Sequence, residues 1–165
     1  MSPSHALETT DQALAAAGHH LIGSVRGVEP GPTLILLGGI HGNEPAGVLA
    51  CRRAFSLLEE KQSAIRGEVM FLAGNTRALL KGLRFVDEDL NRRWTAHNVR
   101  GVSAVRVLTA EPLEQQELLA ELEKALTTAR GEVHFVDLHT TSASGVPFAT
   151  VVAAKSFATV WERPH

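Results

Sequence analysis

The sequence predicts an α/β fold with a mostly parallel or mixed central sheet and helices on both faces. Two observations lead to this prediction. Short apolar runs bounded by glycine recur along the chain, as in TLILLGG and GEVMFLAGN, and such runs are typical of strands covered on both faces. Segments with apolar residues at helical spacing separate these runs, and strands that alternate with helices favour a parallel sheet with right-handed crossovers.

The first half of the chain predicts two strands, a helix and a third strand. HHLIGSVRGVE is the first strand candidate, and the turn sequence PGP separates it from the second, TLILLGG. Pro45 suits the first turn of the helix that follows. Apolar residues at helical spacing form a stripe to be buried along this helix: Val48, Cys51, Phe55 and Leu58. GEVMFLAGN then repeats the pattern of a buried strand.

The second half predicts one long helix and one or two strands. Residues 76 to about 102 are mixed in character and rich in arginine. Pro112 opens a helix that runs through Lys124 or beyond, with leucines on one side, and Gly131 ends it. EVHFVDLHT is the next strand candidate, and PFATVVAA is a further one.

Length and composition bound the organisation and the class of function. A chain of 165 residues suits one domain, so we expect a poorly ordered segment at 1–17 and a single α/β domain at 18–165. With 44% hydrophobic residues, 21% charged residues and a net charge of -2, the composition argues against disorder and against a nucleic-acid surface. No apolar run approaches the ~20 residues of a membrane span and no signal pattern opens the chain, so we expect a cytoplasmic protein.

The chain has one cysteine, Cys51. A single cysteine rules out an intrachain disulfide and a multi-cysteine zinc site, so any metal would need histidine and carboxylate ligands. Because Cys51 lies on the helical stripe, we interpret it as a small core residue and not as a nucleophile.

Residues suited to metal binding follow two of the predicted strands. His41 and Glu44 lie in GGIHGNEPAG after the second strand, and His139 ends EVHFVDLH. Because ligands bind at the carboxyl ends of strands in such sheets, we expect these residues to meet at one edge. Two histidines and a carboxylate, with a fourth position open to water, form a known ligand set for catalytic zinc. The alternative is a turn histidine and a helix-capping acid.

Strand parity places two further ionisable residues. Asp137 lies two positions before His139, so both project to one face of an extended strand, where Asp137 orients a ligand or lies near the metal. His134 has the opposite parity, and we expect it to be a core or helix-facing residue. We assign no role to His20 because it has no partner at ligand spacing.

The segment RFVDEDLNRRW is dense in charged and polar residues, among them Arg84, Asn91 and Arg92. Arginine binds carboxylates in a bidentate manner, and asparagine adds a donor and an acceptor. The segment therefore indicates an anionic small substrate. A surface loop held by salt bridges is the alternative.

Taken together, GGIHGNEPAG, GNTRALLKGLRFVDEDLNRRW and VDLHTTSA resemble the succinylglutamate desuccinylase and aspartoacylase family, a branch of the zinc carboxypeptidase-like hydrolases. The similarity runs from about residue 20 to about residue 152. It implies one Zn²⁺ ion, two residues that hold the substrate carboxylate and one catalytic residue that polarises the scissile carbonyl. The metal ligands of the family match His41, Glu44 and His139. Its substrate-binding residues match Asn91 and Arg92, and its catalytic residue matches Arg84.

The resemblance implies metal-assisted hydrolysis of an amide bond in an N-acyl amino acid or a similar small carboxylate. Members of the family place a general-base glutamate on a glycine-flanked strand some tens of residues after the third ligand. After His139 this chain has one acid, Glu162, which does not match that context. We therefore expect a domain that is truncated relative to the family and incomplete at its C-terminal end. The alternative function is a non-catalytic zinc-binding or anion-binding homologue or fragment.

Overall fold

The computed structural model describes residues 19–61, 64–102 and 109–140. The strands are β1 (Leu21–Arg26), β2 (Thr33–Gly38), β3 (Glu68–Ala73) and β4 (Val133–Leu138). The helices are α1 (Ala46–Glu59), α2 (Thr76–Lys81), α3 (Ala96–Gly101) and α4 (Ala110–Thr128), with a 3-10 helix at Leu90–Arg92. The segment 1–17, the strand candidate PFATVVAA and Glu162 lie outside the described residues.

The strands form one mixed four-stranded sheet in the order β1-β3-β2-β4. β2 runs parallel to both β3 and β4, whereas β1 pairs antiparallel with β3. The register places Gly38, at the end of β2, level with Ala73 and with Leu138. The carboxyl ends of three strands therefore lie side by side, as the sequence predicts.

Helices α1 and α4 cover opposite faces of the sheet, which confirms the predicted architecture. On one face, apolar residues of β2 and β3 form a buried cluster with α4: Ile35, Leu37, Met70, Leu72, Leu118, Leu122 and Ala125. On the other face, the ring of Phe55 in α1 lies against Phe71, with 5.9 Å between the centroids. Cys51 is buried there too, and burial raises the pKa of its thiol to about 11, in accord with a core residue.

The turn from β2 into α1 depends on glycine. Gly39 has φ 75°, a left-handed conformation that glycine adopts without steric cost. A Cβ on Gly38 would lie 2.3 Å from the carbonyl carbon of Gly47, so the start of α1 packs directly against the end of β2. This close approach holds the intervening residues 40–46 over the end of the sheet.

The expectation that His134 is a core or helix-facing residue is wrong, because its side chain is 58% exposed. The alternation of side chains along β4 is as predicted, since Phe135, the neighbour of His134, points to the other face and packs against the core. His134 is exposed because β4 is the outermost strand of the described sheet and α1 packs mainly over the other three strands.

An ion-pair network that the sequence did not signal joins α2 to α4. Glu114 is fully buried and accepts hydrogen bonds from the Thr76 hydroxyl at 2.8 Å and from Arg77 Nη1 at 2.6 Å. Arg77 Nη1 also donates to Glu117 at 2.8 Å, and Nε2 of the buried His20 lies 3.2 Å from the same carboxylate. Although His20, Glu114 and Glu117 could group around an ion, Arg77 already forms ion pairs with both carboxylates. The cluster is therefore a structural ion-pair network.

The long helix begins at Ala110, two positions before Pro112, and continues to Thr128. Proline is tolerated there because backbone amides in the first turn of a helix have no partner within the helix. Within the described part of the chain, none of the helices combines the length and apolar character that a membrane span requires.

Substitution of Phe71 by alanine should lower the free energy of unfolding by about 3–5 kcal/mol, because the side chain is completely buried and its removal leaves a cavity. Urea denaturation measures this loss. Val28→Ala is the control, since Val28 is 85% exposed, and it should change stability by no more than about 0.5 kcal/mol. Equal effects of the two substitutions would contradict the described core.

Stability should fall as the pH is lowered through the acid range. The hydrogen bond from Arg77 holds the pKa of Glu117 below its ordinary value of 4.5, although partial burial opposes this. Because the pKa is lower in the folded state, the contribution is complete above the unfolded pKa and is lost as the pH falls through the folded one. The urea midpoint of the Glu117→Gln variant should therefore fall less, as the pH is lowered, than the midpoint of the unsubstituted chain. Glu59 is exposed, so the urea midpoint of the control variant Glu59→Gln should vary with pH as that of the unsubstituted chain does.

Candidate metal centre

Three residues predicted as metal ligands meet at the carboxyl edge of the sheet. His41 follows β2, Glu44 lies two positions before the first residue of α1, and His139 follows β4. Each offers one ligand atom, and these atoms all lie within 4.8 Å of one another. His41 is buried, whereas the side chain of His139 is 34% exposed, so the centre opens to solvent on the side of β4.

The Glu44 carboxylate lies between the two imidazoles. Its Oε1 is 3.1 Å from Nδ1 of His41, and its Oε2 is 3.3 Å from Nδ1 of His139. The ring centroids are 5.2 Å apart and the ring planes are tilted by 54°. The Nδ1 atoms of both histidines therefore face one carboxylate and one small volume.

The opposite ring nitrogens have carboxylate partners of their own. Nε2 of His41 lies 3.2 Å from Oδ1 of Asp89, and Nε2 of His139 lies 2.9 Å from Oδ2 of Asp137. When a cation is bound at Nδ1, a carboxylate at Nε2 accepts the proton of that nitrogen and orients the ring. The donor set therefore fits a divalent cation held through two Nδ1 atoms and Glu44.

Charges at the centre keep Glu44 ionised. Burial alone would raise the pKa of Glu44, but the Thr140 amide, which donates to Oε2 at 2.8 Å, and the two imidazoles hold it below its ordinary value. Burial raises the pKa of Asp137, and His139 opposes the rise in part. The second oxygen of Asp137, Oδ1, is buried and accepts no hydrogen bond from the described residues.

Arg84 reaches the centre from the arginine loop, which we define as residues 84–93. Its Nη1 donates to Oε1 of Glu44 at 3.5 Å, and its Nη2 lies 3.7 Å from Oδ2 of Asp89. The loop therefore brings a guanidinium to the carboxylate that faces both histidines. Arg84 is also half exposed, so the same group remains accessible to a ligand.

Asn91 and Arg92 lie on the same loop. Among the described residues, no hydrogen bond or ion pair joins either of them to a predicted metal ligand. Both side chains are exposed, and Nε of Arg92 lies 3.6 Å from Oδ2 of Asp89. The backbone amide of Asn91 donates to Oδ1 of the same aspartate at 3.0 Å. Asp89 thus connects Arg84, Asn91 and Arg92 to His41. The sequence did not predict this role of Asp89, because it showed only that Asp89 lies in a charged segment.

Comparison with known proteins identifies the family. The model of the succinylglutamate desuccinylase/aspartoacylase catalytic domain matches residues 30–157, which is most of the chain. The chain belongs to this family. A succinylglutamate desuccinylase of Shewanella pealeana is 34% identical over 116 residues, and one of Shewanella woodyi is 31% identical over 116 residues. These matches cover 69% and 68% of this chain but 33% and 32% of the relatives, so the chain spans about a third of their length.

Solved structures of two family members share the fold. The succinylglutamate desuccinylase of Chromobacterium violaceum matches with a TM-score of 0.53 at 20% identity, over 79% of this chain and 44% of that one. The succinylglutamate desuccinylase of Vibrio cholerae matches with a TM-score of 0.56 at 15% identity, over 77% and 43%. The mixed α/β architecture predicted from the sequence is therefore confirmed as that of this family.

Removal of His139 should weaken binding of a divalent cation by more than ~10-fold, because loss of even an ordering partner of a ligand has that effect. Calorimetric titration of His139→Ala with Zn²⁺ measures the change. His134→Ala is a matched control, since it removes an exposed histidine from the same strand and should leave the affinity unchanged. An equal effect of the two substitutions would mean that the cation binds elsewhere.

Proposed function

We propose that this chain is the metal-binding part of a zinc-dependent hydrolase that cleaves the amide bond of an N-acyl amino acid or a similar small carboxylate. The convergence of His41, Glu44 and His139 at one edge of the sheet carries the proposal. Family membership supports it, because the relatives of this chain are succinylglutamate desuccinylases.

The three converging residues would hold one Zn²⁺ ion. When bound, the ion supplies Lewis-acid polarisation of a carbonyl and lowers the pKa of a water molecule to about 7. With the ion bound, Asp89 and Asp137 would accept the Nε2 protons and leave both Nδ1 atoms free to hold it. The Thr140 amide, which donates to Oε2, favours the anionic form of Glu44.

Substrate recognition is assigned to the arginine loop. Arg84 lies beside Glu44, so its guanidinium is placed to donate to a carbonyl oxygen as negative charge develops there. Asn91 and Arg92 are exposed next to it and would hold the substrate carboxylate, since guanidinium binds carboxylates through two parallel hydrogen bonds. The substrate is therefore a small anion. A cytoplasmic location, without nucleic-acid or membrane partners, stays a prediction.

The second candidate function is binding without turnover. Among the described residues, the carboxylates that contact the two imidazoles of the centre are Glu44, Asp89 and Asp137. Since each already partners a histidine, we assign none of them as the general base that amide hydrolysis requires. This observation favours a zinc-binding or anion-binding role if the chain acts without a further carboxylate.

Zinc-loaded chain incubated with a panel of N-acyl amino acids, including N-succinyl-L-glutamate, tests the proposal by release of the free amine. Cleavage is expected, and Arg84→Ala should lower kcat by ~10²–10³-fold because it removes a donor to the developing oxyanion. Arg53→Ala, which removes an exposed arginine from α1, is the control and should retain the rate. One equivalent of bound zinc without cleavage would select the binding role, and failure to bind zinc would overturn the hydrolase and the zinc-binding role.

A further inference from the structure

The carboxylate of Glu111, near the start of α4, is fully buried and is directed at the arginine loop. Oε1 accepts from the Val86 amide at 2.6 Å and from Nδ2 of Asn75 at 2.9 Å. Oε2 accepts from the Asp87 amide at 2.9 Å and from the Glu88 amide at 3.2 Å. One side chain thus accepts from three consecutive backbone amides of the loop.

These amides belong to the part of the loop between Arg84 and Asp89, the two loop residues that contact the metal centre. The loop is also tied on either side of them. The Gly42 amide donates to the carbonyl oxygen of Arg84 at 3.1 Å, and Gln115 of α4 accepts from Nε of Arg93 at 3.1 Å. Glu111 therefore holds the centre of a segment that is fixed at both ends.

The arginine loop also accepts a hydrogen bond from α4. Oδ2 of Asp87 accepts from the Ala110 amide at 2.9 Å, which satisfies a free donor at the start of α4. The N-cap residue itself, Thr109, makes no such bond with its side chain. A displacement of the loop would consequently uncap the helix as well as expose a buried carboxylate.

Glu111 is ionised in this environment. Burial alone would raise its pKa, but the Val86, Asp87 and Glu88 amides and the Asn75 amide group together hold it below the ordinary value of 4.5. Hydrogen bonds to a charged acceptor are stronger than those to a neutral one. A glutamine at this position would keep the size but turn one acceptor into an amino group that faces a donor.

We propose that Glu111 is a positioning residue that fixes the backbone of the arginine loop and thereby sets the affinity for an anionic substrate. The residue touches neither the predicted metal ligands nor, in the proposed arrangement, the substrate, so it acts through Arg84 and its loop neighbours. This inference rests on the proposed function for the identity of the ligand. The contacts on which it is built do not depend on any bound metal.

Glu111→Gln tests the proposal in the full chain with two measurements. Hydrogen exchange of the Val86, Asp87 and Glu88 amides should accelerate by at least ~10-fold, because a hydrogen bond to a charged group is worth that factor. Calorimetry of the zinc-loaded variant with N-succinyl-L-glutamate should show affinity reduced by ~10-fold or more, since small misplacement of positioning groups has large effects. Zinc should still bind at one equivalent, which a general loss of structure would not allow.

Glu121→Gln is the matched control, because Glu121 lies further along the same helix and its buried Oε2 has no partner in the described residues. It should leave both measurements unchanged. Unaltered exchange and affinity in Glu111→Gln would overturn the proposal. If the unsubstituted chain does not bind the probe, the proposed function fails, and the positioning role is decided by exchange alone.

Should Glu111→Gln fail to fold, Asp87→Ala tests whether anchoring the loop to α4 sets the affinity, because it removes the hydrogen bond to the Ala110 amide from an exposed position. It should accelerate exchange of the Ala110 amide and weaken probe binding by less than the ~10-fold expected of Glu111→Gln. Unchanged probe affinity in a folded Asp87→Ala protein would contradict the proposal.

Discussion

The parallel, in-register pairing of β2 with β4 is the constraint on which the rest of the structure depends. It sets Gly38 level with Leu138, so the residues that follow the two strands leave the sheet at the same height. His41 and His139 are far apart in the chain, and this pairing, together with the glycine turn after β2, brings their Nδ1 atoms to one carboxylate. A slip of one residue would send the side chains of β4 to the opposite face and remove His139 from the centre.

Buried polar side chains of α4 hold neighbouring elements in place. Leucines further along this helix pack on the sheet, whereas its first two turns present Glu111, Glu114 and Gln115 to neighbouring backbone and arginine groups. Burying acceptors costs free energy unless they accept hydrogen bonds, and both carboxylate oxygens of Glu111 and of Glu114 do so. The helix therefore fixes both α2 and the arginine loop by hydrogen bonding, and it fixes the sheet by apolar packing.

Sequence reasoning predicted the features that depend on local pattern. Apolar runs bounded by glycine identified the strands, and their order implied that His41, Glu44 and His139 would meet. It did not find His20 or Glu111, because their partners lie far away in the chain and a glutamate on a helix ordinarily indicates an exposed face. The exposure of His134 was missed for a related reason, since parity gives the face of a strand but not whether a helix covers it.

Glu111 recognises backbone amides, and every residue except proline supplies such an amide. The hydrogen bonds that Glu111 accepts from the loop are therefore independent of which side chains Val86 and Glu88 carry. Relatives could exchange those side chains, or the outward-facing Asn91 and Arg92, while the scaffold beneath stays the same. Under the proposed function, such an arrangement would let substrate preference change without rebuilding the fold.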